Sequence, residues 1–175
     1  MTKIVDQMAE ALTAFAACST EPALIGGMAL AVHNYVRATQ DIDFLADAND
    51  AERLDRLVLD LGYRRLYRSD DAANYVRGDE GLDFLFAHRP ASRELLRDAP
   101  KRDTAFGRVR VVSAEGLIGF KLQAFVNNPK RTRDIDDIRQ LLRNNGSTLN
   151  MEQVRGYFAL FKREALLDEF LSEKR

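Results

Sequence analysis

Apolar residues recur at helical spacing at the two ends of the chain and gather into short alternating or continuous runs between them. Val5, Met8, Leu12 and Phe15 share one stripe of residues 3–17, the pattern of an amphipathic helix packed behind a sheet. Thr20, Glu21 and Pro22 break it. Leu54, Leu57, Val58 and Leu61 predict another helix, with Asn49 or Asp50 as its N-cap and Gly62 as its C-cap. Short strands are predicted over 63–67, 73–77, 82–86 and 109–112, separated by Ser69-Asp70-Asp71 and Gly78-Asp79-Glu80-Gly81. Residues 91–105 have no clear period and read as a helical turn and a loop at the rim. Ser113 then caps a helix running to about Asn127. A further helix carries Ile135, Ile138, Leu141 and Leu142, and Asn144 to Ser147 end it. Asn150 caps a last one, with Val154, Tyr157, Phe158, Phe161, Ala165 and Phe170 facing inward. The pattern predicts an α/β core over residues 1–112, a small mixed sheet with helices on one side, and a helical C-terminal section over residues 113–175 packed on it.

Composition narrows the function classes. The chain has 175 residues, 46% hydrophobic and 30% charged, which suits a globular protein with a sizeable core. Lys and Arg number 26 against 27 acids, so no global field favours nucleic acid, and any RNA or DNA contact has to be local. A single cysteine, Cys18, excludes an internal disulfide and leads us to expect a reducing cytoplasm, with the thiol packed in an Ala-rich helix. No apolar run approaches the ~20 residues that span a bilayer, and the N-terminus lacks a signal-peptide pattern, so no membrane partner is expected.

The chemistry concentrates in residues 24–45. Leu24 and Ile25 end a strand, Gly26-Gly27 permits a tight turn, and Met28, Leu30, Ala31, Val32 and Tyr35 fit a helix whose first turn offers N–H groups to phosphate. After Arg37-Ala38-Thr39-Gln40 comes Asp41-Ile42-Asp43-Phe44. Alternation along a strand puts Asp41 and Asp43 on one face and Ile42 and Phe44 on the other. Two adjacent carboxylates invite a cation, and magnesium, which takes oxygen ligands and shares them with substrate phosphates, is the natural one. The Asp-x-Asp pair alone is weak evidence among 17 aspartates, and Asp134-Ile135-Asp136 is another. Asp83 stands alone among Leu82, Phe84, Leu85 and Phe86, where a carboxylate faces either solvent or a cation. Arg37 suits a phosphate or a surface acid equally well.

A glycine pair, 13 intervening residues with a helical pattern, and Asp-Ile-Asp-Phe on a strand resemble the signature of the nucleotidyltransferase superfamily of DNA polymerase beta. The resemblance implies that Asp83, on a neighbouring strand, is the third carboxylate. It implies Asp41 and Asp43 bridging two magnesium ions, Asp83 touching the ion near the nucleophile and acting as general base, and an NTP as substrate. Gly26, Gly27, Arg37 and Thr39 would line the nucleotide.

Further along, Lys121 falls on the apolar line Leu117, Lys121, Phe125, either snorkelling at the core edge or held over the triphosphate. The segment Leu-Ile-Gly-Phe-Lys-Leu-Gln-Ala followed by Arg131-Thr132-Arg133-Asp134 resembles the second half of the abortive-infection nucleotidyltransferases, the toxins of type IV toxin–antitoxin pairs. That likeness implies a nucleotide site lined by Lys121, Arg131, Arg133 and Asp134, an RNA acceptor such as a tRNA end, and an antitoxin partner. Nucleotidylation of a small molecule of the antibiotic type, and a non-catalytic nucleotide- or partner-binding module, are the alternatives.

Overall fold

The computed structural model describes residues 3–173. The helix α1 (Lys3–Phe15) is followed by β1 (Ala23–Ile25), α2 (Gly26–Val32), β2 (Asp41–Asp47), α3 (Ala51–Asp60), β3 (Arg64–Arg68), β4 (Ala72–Arg77), β5 (Glu80–Ala87), α4 (Pro90–Asp98), β6 (Lys101–Thr104) and β7 (Gly107–Val111). Four more helices complete it: α5 (Ala114–Asn127), α6 (Thr132–Asn145), α7 (Met151–Leu160) and α8 (Glu164–Ser172). By contact the chain divides into two compact units. One holds residues up to Ala29 with Arg37–Val112; the other holds Leu30–Val36 with residues from Ser113 onwards.

The first unit is built on a seven-stranded mixed sheet in the order β3-β4-β5-β2-β1-β7-β6. The β2–β5 and β1–β7 pairs are parallel and the others antiparallel. One face of its centre is apolar. Phe15 of α1 meets Phe44 and Phe84 edge-on at centroid distances of 4.9 and 5.7 Å, and Tyr75 meets Phe84 at 5.9 Å. The Tyr75 hydroxyl donates to Asp55 of α3 at 2.7 Å, and Arg65 donates to both oxygens of the same carboxylate. Gln7, buried on α1, donates to the Gly81 carbonyl at 2.9 Å. A carboxylate and an amide buried at a helix–sheet seam are tolerated because each has found its partners.

Several local expectations are revised. Asp50 does not cap α3 with its side chain; it accepts from the Ser19 and Thr20 amides and the Ser19 hydroxyl, while Asp47 caps a short 3₁₀ turn over Ala48–Asp50. The expected rim loop contains the nine-residue helix α4 and the strand β6, whose Lys-Arg-Asp-Thr sequence has no apolar alternation because it is a sheet edge.

In the second unit, Ser113 caps α5 by accepting from the Gly116 amide. The expected last helix is two, α7 and α8, separated where Lys162 takes φ 55°, a left-handed conformation that stops a helix. Phe158 and Phe170 join the pair edge-to-face at 6.4 Å, while Ala165, expected inside, is exposed. Leu30–Val36 belongs to this unit although its sequence lies between the strands β1 and β2 of the first: Asn145 donates to the His33 carbonyl and Asn144 to that of Asn34, both at 2.8 Å. The helix α2 is only seven residues long, and Asn34 at φ 62° follows its end.

Candidate active site

Register determines which side chains meet on the second face of the sheet. Asp43 of β2 lies opposite Asp83 of β5, Asp83 opposite Asn74 of β4, and Asn74 opposite Tyr67 of β3. Paired residues on neighbouring strands share a face, so Asp43, Asp83, Asn74 and Tyr67 form one row across the sheet. Two residues back along β2, a second row runs Asp41, Gly81, Val76, Arg64. A register shift between Arg65 and Tyr67 lets Arg64 and Tyr67, three apart, share this face while Arg65 reaches Asp55 behind it.

The carboxylates are accommodated by glycine. A Cβ on Gly81 would stand 1.9 Å from Asp41 Oδ1, and one on Gly26, whose φ is 65°, would stand 2.1 Å from Asp43 Oδ2. Gly26 is required twice over, by its backbone and by the space it leaves. Gly27 serves Thr39: its missing Cβ would lie 2.8 Å from the Thr39 Cβ, and the Thr39 hydroxyl donates to the Asp41 carbonyl at 3.2 Å. The glycine pair, Thr39 and both aspartates of the sequence motif are therefore one packed assembly. The sequence marks Gly81 only as part of a turn; the signal for its role is its spacing, two residues before Asp83 as Asp41 lies two before Asp43.

Burial pushes the Asp83 carboxyl above its ordinary range, a hydrogen bond from the Asn74 amide opposes the shift, and the nearby Asp41 charge adds to it. Asn74, not singled out from sequence, is thus the neutral neighbour of the third acid. The three acids of this face offer carboxylate oxygens, suited to a hard cation such as magnesium. Among the described residues, however, no three His, Cys, Asp or Glu side chains are gathered into a metal-holding group. The sheet aligns the acids without closing them into a cage.

The basic residues of the second unit are differently placed. Lys121, 9% exposed, pairs with Asp134 at 3.1 Å and with the fully buried Asp137 at 2.6 Å. Arg131 holds the other oxygen of Asp134 at 2.5 Å. Burial resists ionisation of Asp134, but Arg131 and Lys121 outweigh it and hold the carboxyl below its usual range. Neither expectation for Lys121 includes this pair of acids, which lie three residues apart on α6 and converge on a single ammonium. Arg133 and Lys130 are exposed and make no side-chain ion pair among the described residues. Arg37 lies beside Thr39 in sequence and donates to the adjacent Ala38 carbonyl at 3.3 Å.

The mixed sheet with its flanking helices is a nucleotidyltransferase fold. No protein-family model matches the chain, and no curated protein matches its sequence. Among solved structures, the antibiotic-resistance factor ANT(2'')-Ia in solution is similar over 97% of both chains, with TM-score 0.67 and 22% identity. The crystal structure of ANT(2'')-Ia in complex with adenylyl-2''-tobramycin matches over 92% of this chain and 98% of that one, at TM-score 0.67 and 24% identity. An antigenic nucleotidyltransferase-like protein from Paracoccidioides brasiliensis matches over 97% and 92%, at TM-score 0.58 and 15% identity. No described helix is long and apolar enough to cross a membrane.

Two stability measurements separate the acids from the buried ion pairs. Because the folded-state pKa of Asp83 is raised, the unfolded chain releases its proton first as pH rises, and the ionised group costs stability at neutral pH. Asp83→Asn is expected to raise Tm at pH 7, with the gain shrinking as pH falls through the raised folded-state value and lost below the ordinary carboxyl value of 3.8, where the native residue is protonated in both states. Lys121→Ala removes the ammonium shared by two buried carboxylates and is expected to cost about 3–5 kcal/mol in urea unfolding; a cost below about 1 kcal/mol would show that these pairs are not structural.

Proposed function

We propose that the protein is a magnesium-dependent nucleotidyltransferase that moves a nucleoside monophosphate from an NTP to a hydroxyl of a small acceptor molecule. The observation that carries this reading is the row Asp43–Asp83 with Asp41 beside it, on the open face of a nucleotidyltransferase fold and cleared by Gly26 and Gly81. The likeness to a protein solved with an adenylylated aminoglycoside supports a small acceptor.

In this mechanism Asp41 and Asp43 would hold magnesium together with the triphosphate, and Asp83 would join them as a ligand. Magnesium, when bound, neutralises the phosphate charge and lowers the pKa of the acceptor hydroxyl. Asp83, its basicity raised by burial and by Asp41, receives the hydroxyl proton. The acceptor oxygen then bonds to the α-phosphorus, the bond from that phosphorus to the bridging oxygen breaks, and pyrophosphate leaves. Gly26, Gly27 and Thr39 bound the phosphate side, with Arg37 next to them in sequence. In the other unit, Lys121 with Asp134 forms the buried tie between α5 and α6, Arg131 adds an exposed partner to it, and Arg133 is exposed.

The exposed Lys130 and Arg133 favour a second reading, transfer to an RNA end such as that of a tRNA. A toxin restrained by an antitoxin is the form that reading takes, in the reducing cytoplasm that a lone Cys18 suits.

Incubation with each α-labelled NTP, magnesium, and either cellular RNA or a pool of hydroxylated small molecules tests both readings. Label transfer is expected to small molecules, to be lost on adding EDTA, and to be absent in the Asp41→Asn, Asp43→Asn double variant. Asp83→Asn is expected to lower kcat about 10²–10⁴-fold. Label on a tRNA-sized band would favour the RNA reading, and equal transfer by the double variant would exclude this site.

A further inference from the structure

Beside the acids lies an open cleft of about 370 Å³. Asp41, Gly81 and Asp83 form one wall, and Asn74, Val76 and the β3 residues Leu66 and Tyr67 form the other. Leu66 and Tyr67 are 57% and 54% exposed, a large apolar surface on a strand that the register shift turns towards the acids. The row from Asp41 crosses Gly81, which adds no side chain, and Val76, and ends at Arg64. Arg64 makes no ion pair among the described residues. Beyond the two wall acids the cleft has one more carboxylate, Asp79, and it pairs with Lys3.

We infer that this cleft is the acceptor subsite and that it takes a flat, hydroxylated molecule without amino groups, neutral or anionic, lying on Leu66, Tyr67 and Val76 with its hydroxyl at Asp83. The inference rests on the transferase reading and names its substrate class. An aromatic or fused ring covers the exposed tyrosine and leucine, releasing water from both. Asn74, with its amide on Asp83, keeps its carbonyl oxygen for a second hydroxyl. A polycationic amino sugar is disfavoured: among the described residues the β3–β4 side offers it no unpaired acid, and the row from Asp41 ends on that side at a cationic residue, Arg64. The fold is shared with ANT(2'')-Ia, but this wall selects against a tobramycin-like acceptor.

The test is amide chemical-shift mapping of the full chain, without NTP, titrated with 4-nitrophenyl glucoside or with tobramycin. The glucoside is expected to saturate shifts at Leu66, Tyr67, Asn74 and Val76, and Tyr67→Ser, on an exposed strand position, to weaken it at least tenfold. Tobramycin is expected to bind at least tenfold more weakly than the glucoside. Cleft shifts from tobramycin alone, or from neither compound, would overturn the inference. Because no turnover is read, failure here leaves NTP label transfer and its loss in the Asp41→Asn, Asp43→Asn variant standing as the separate test of the transferase reading.

Discussion

Three carboxylates on one sheet face repel one another, and the rest of the first unit is arranged to hold them there regardless. Strand pairing supplies the force, because backbone hydrogen bonds fix the register of β2 against β5 without involving the side chains that object. The opposite face contributes the apolar packing of Phe15, Phe44, Phe84 and Tyr75, which anchors the same strands from behind. Glycines at 26 and 81 leave room where a methyl group would collide with a carboxylate oxygen. The unfavourable term remains visible in the raised pKa of Asp83, as expected where local stability is given up at a functional site.

The second unit solves an opposite problem. Lys121, Arg131, Asp134 and Asp137 bring opposite charges together, both acids and the lysine almost wholly out of water. Such a cluster is stable only while complete, since the lysine and both acids are desolvated and rely on their partners. Charges that satisfy one another are poorly suited to hold a passing triphosphate, whereas the acids of the sheet face are brought together with like charge. This difference separates a frame from a site.

Much of this was legible in the sequence where local rules decide. Alternation in Asp41-Ile42-Asp43-Phe44 assigned the faces, and the lone acid in Leu82-Asp83-Phe84 marked its strand as unusual. The pairing of Asp43 with Asp83 was not legible, because register between strands 40 residues apart depends on the whole sheet. For the same reason Asn74 and Tyr67 carried no signal: an asparagine or tyrosine on a strand looks like any surface residue until its row is known. The edge strand β6 had no apolar pattern to read, and the α7–α8 break lay in the backbone of Lys162, a residue with no turn preference. Lys121 read as an apolar-face lysine because its partners lie on the next helix.

The central claim is that Asp41, Asp43 and Asp83 together receive divalent metal. Manganese titrated into the labelled protein with a non-hydrolysable NTP analogue measures this most directly, because the paramagnetic ion broadens amide signals within roughly two helical turns of its position. Selective broadening of residues 41–43 and 81–83, absent in the Asp41→Asn, Asp43→Asn variant, is the predicted result. Broadening centred elsewhere, or unchanged in that variant, would contradict the account.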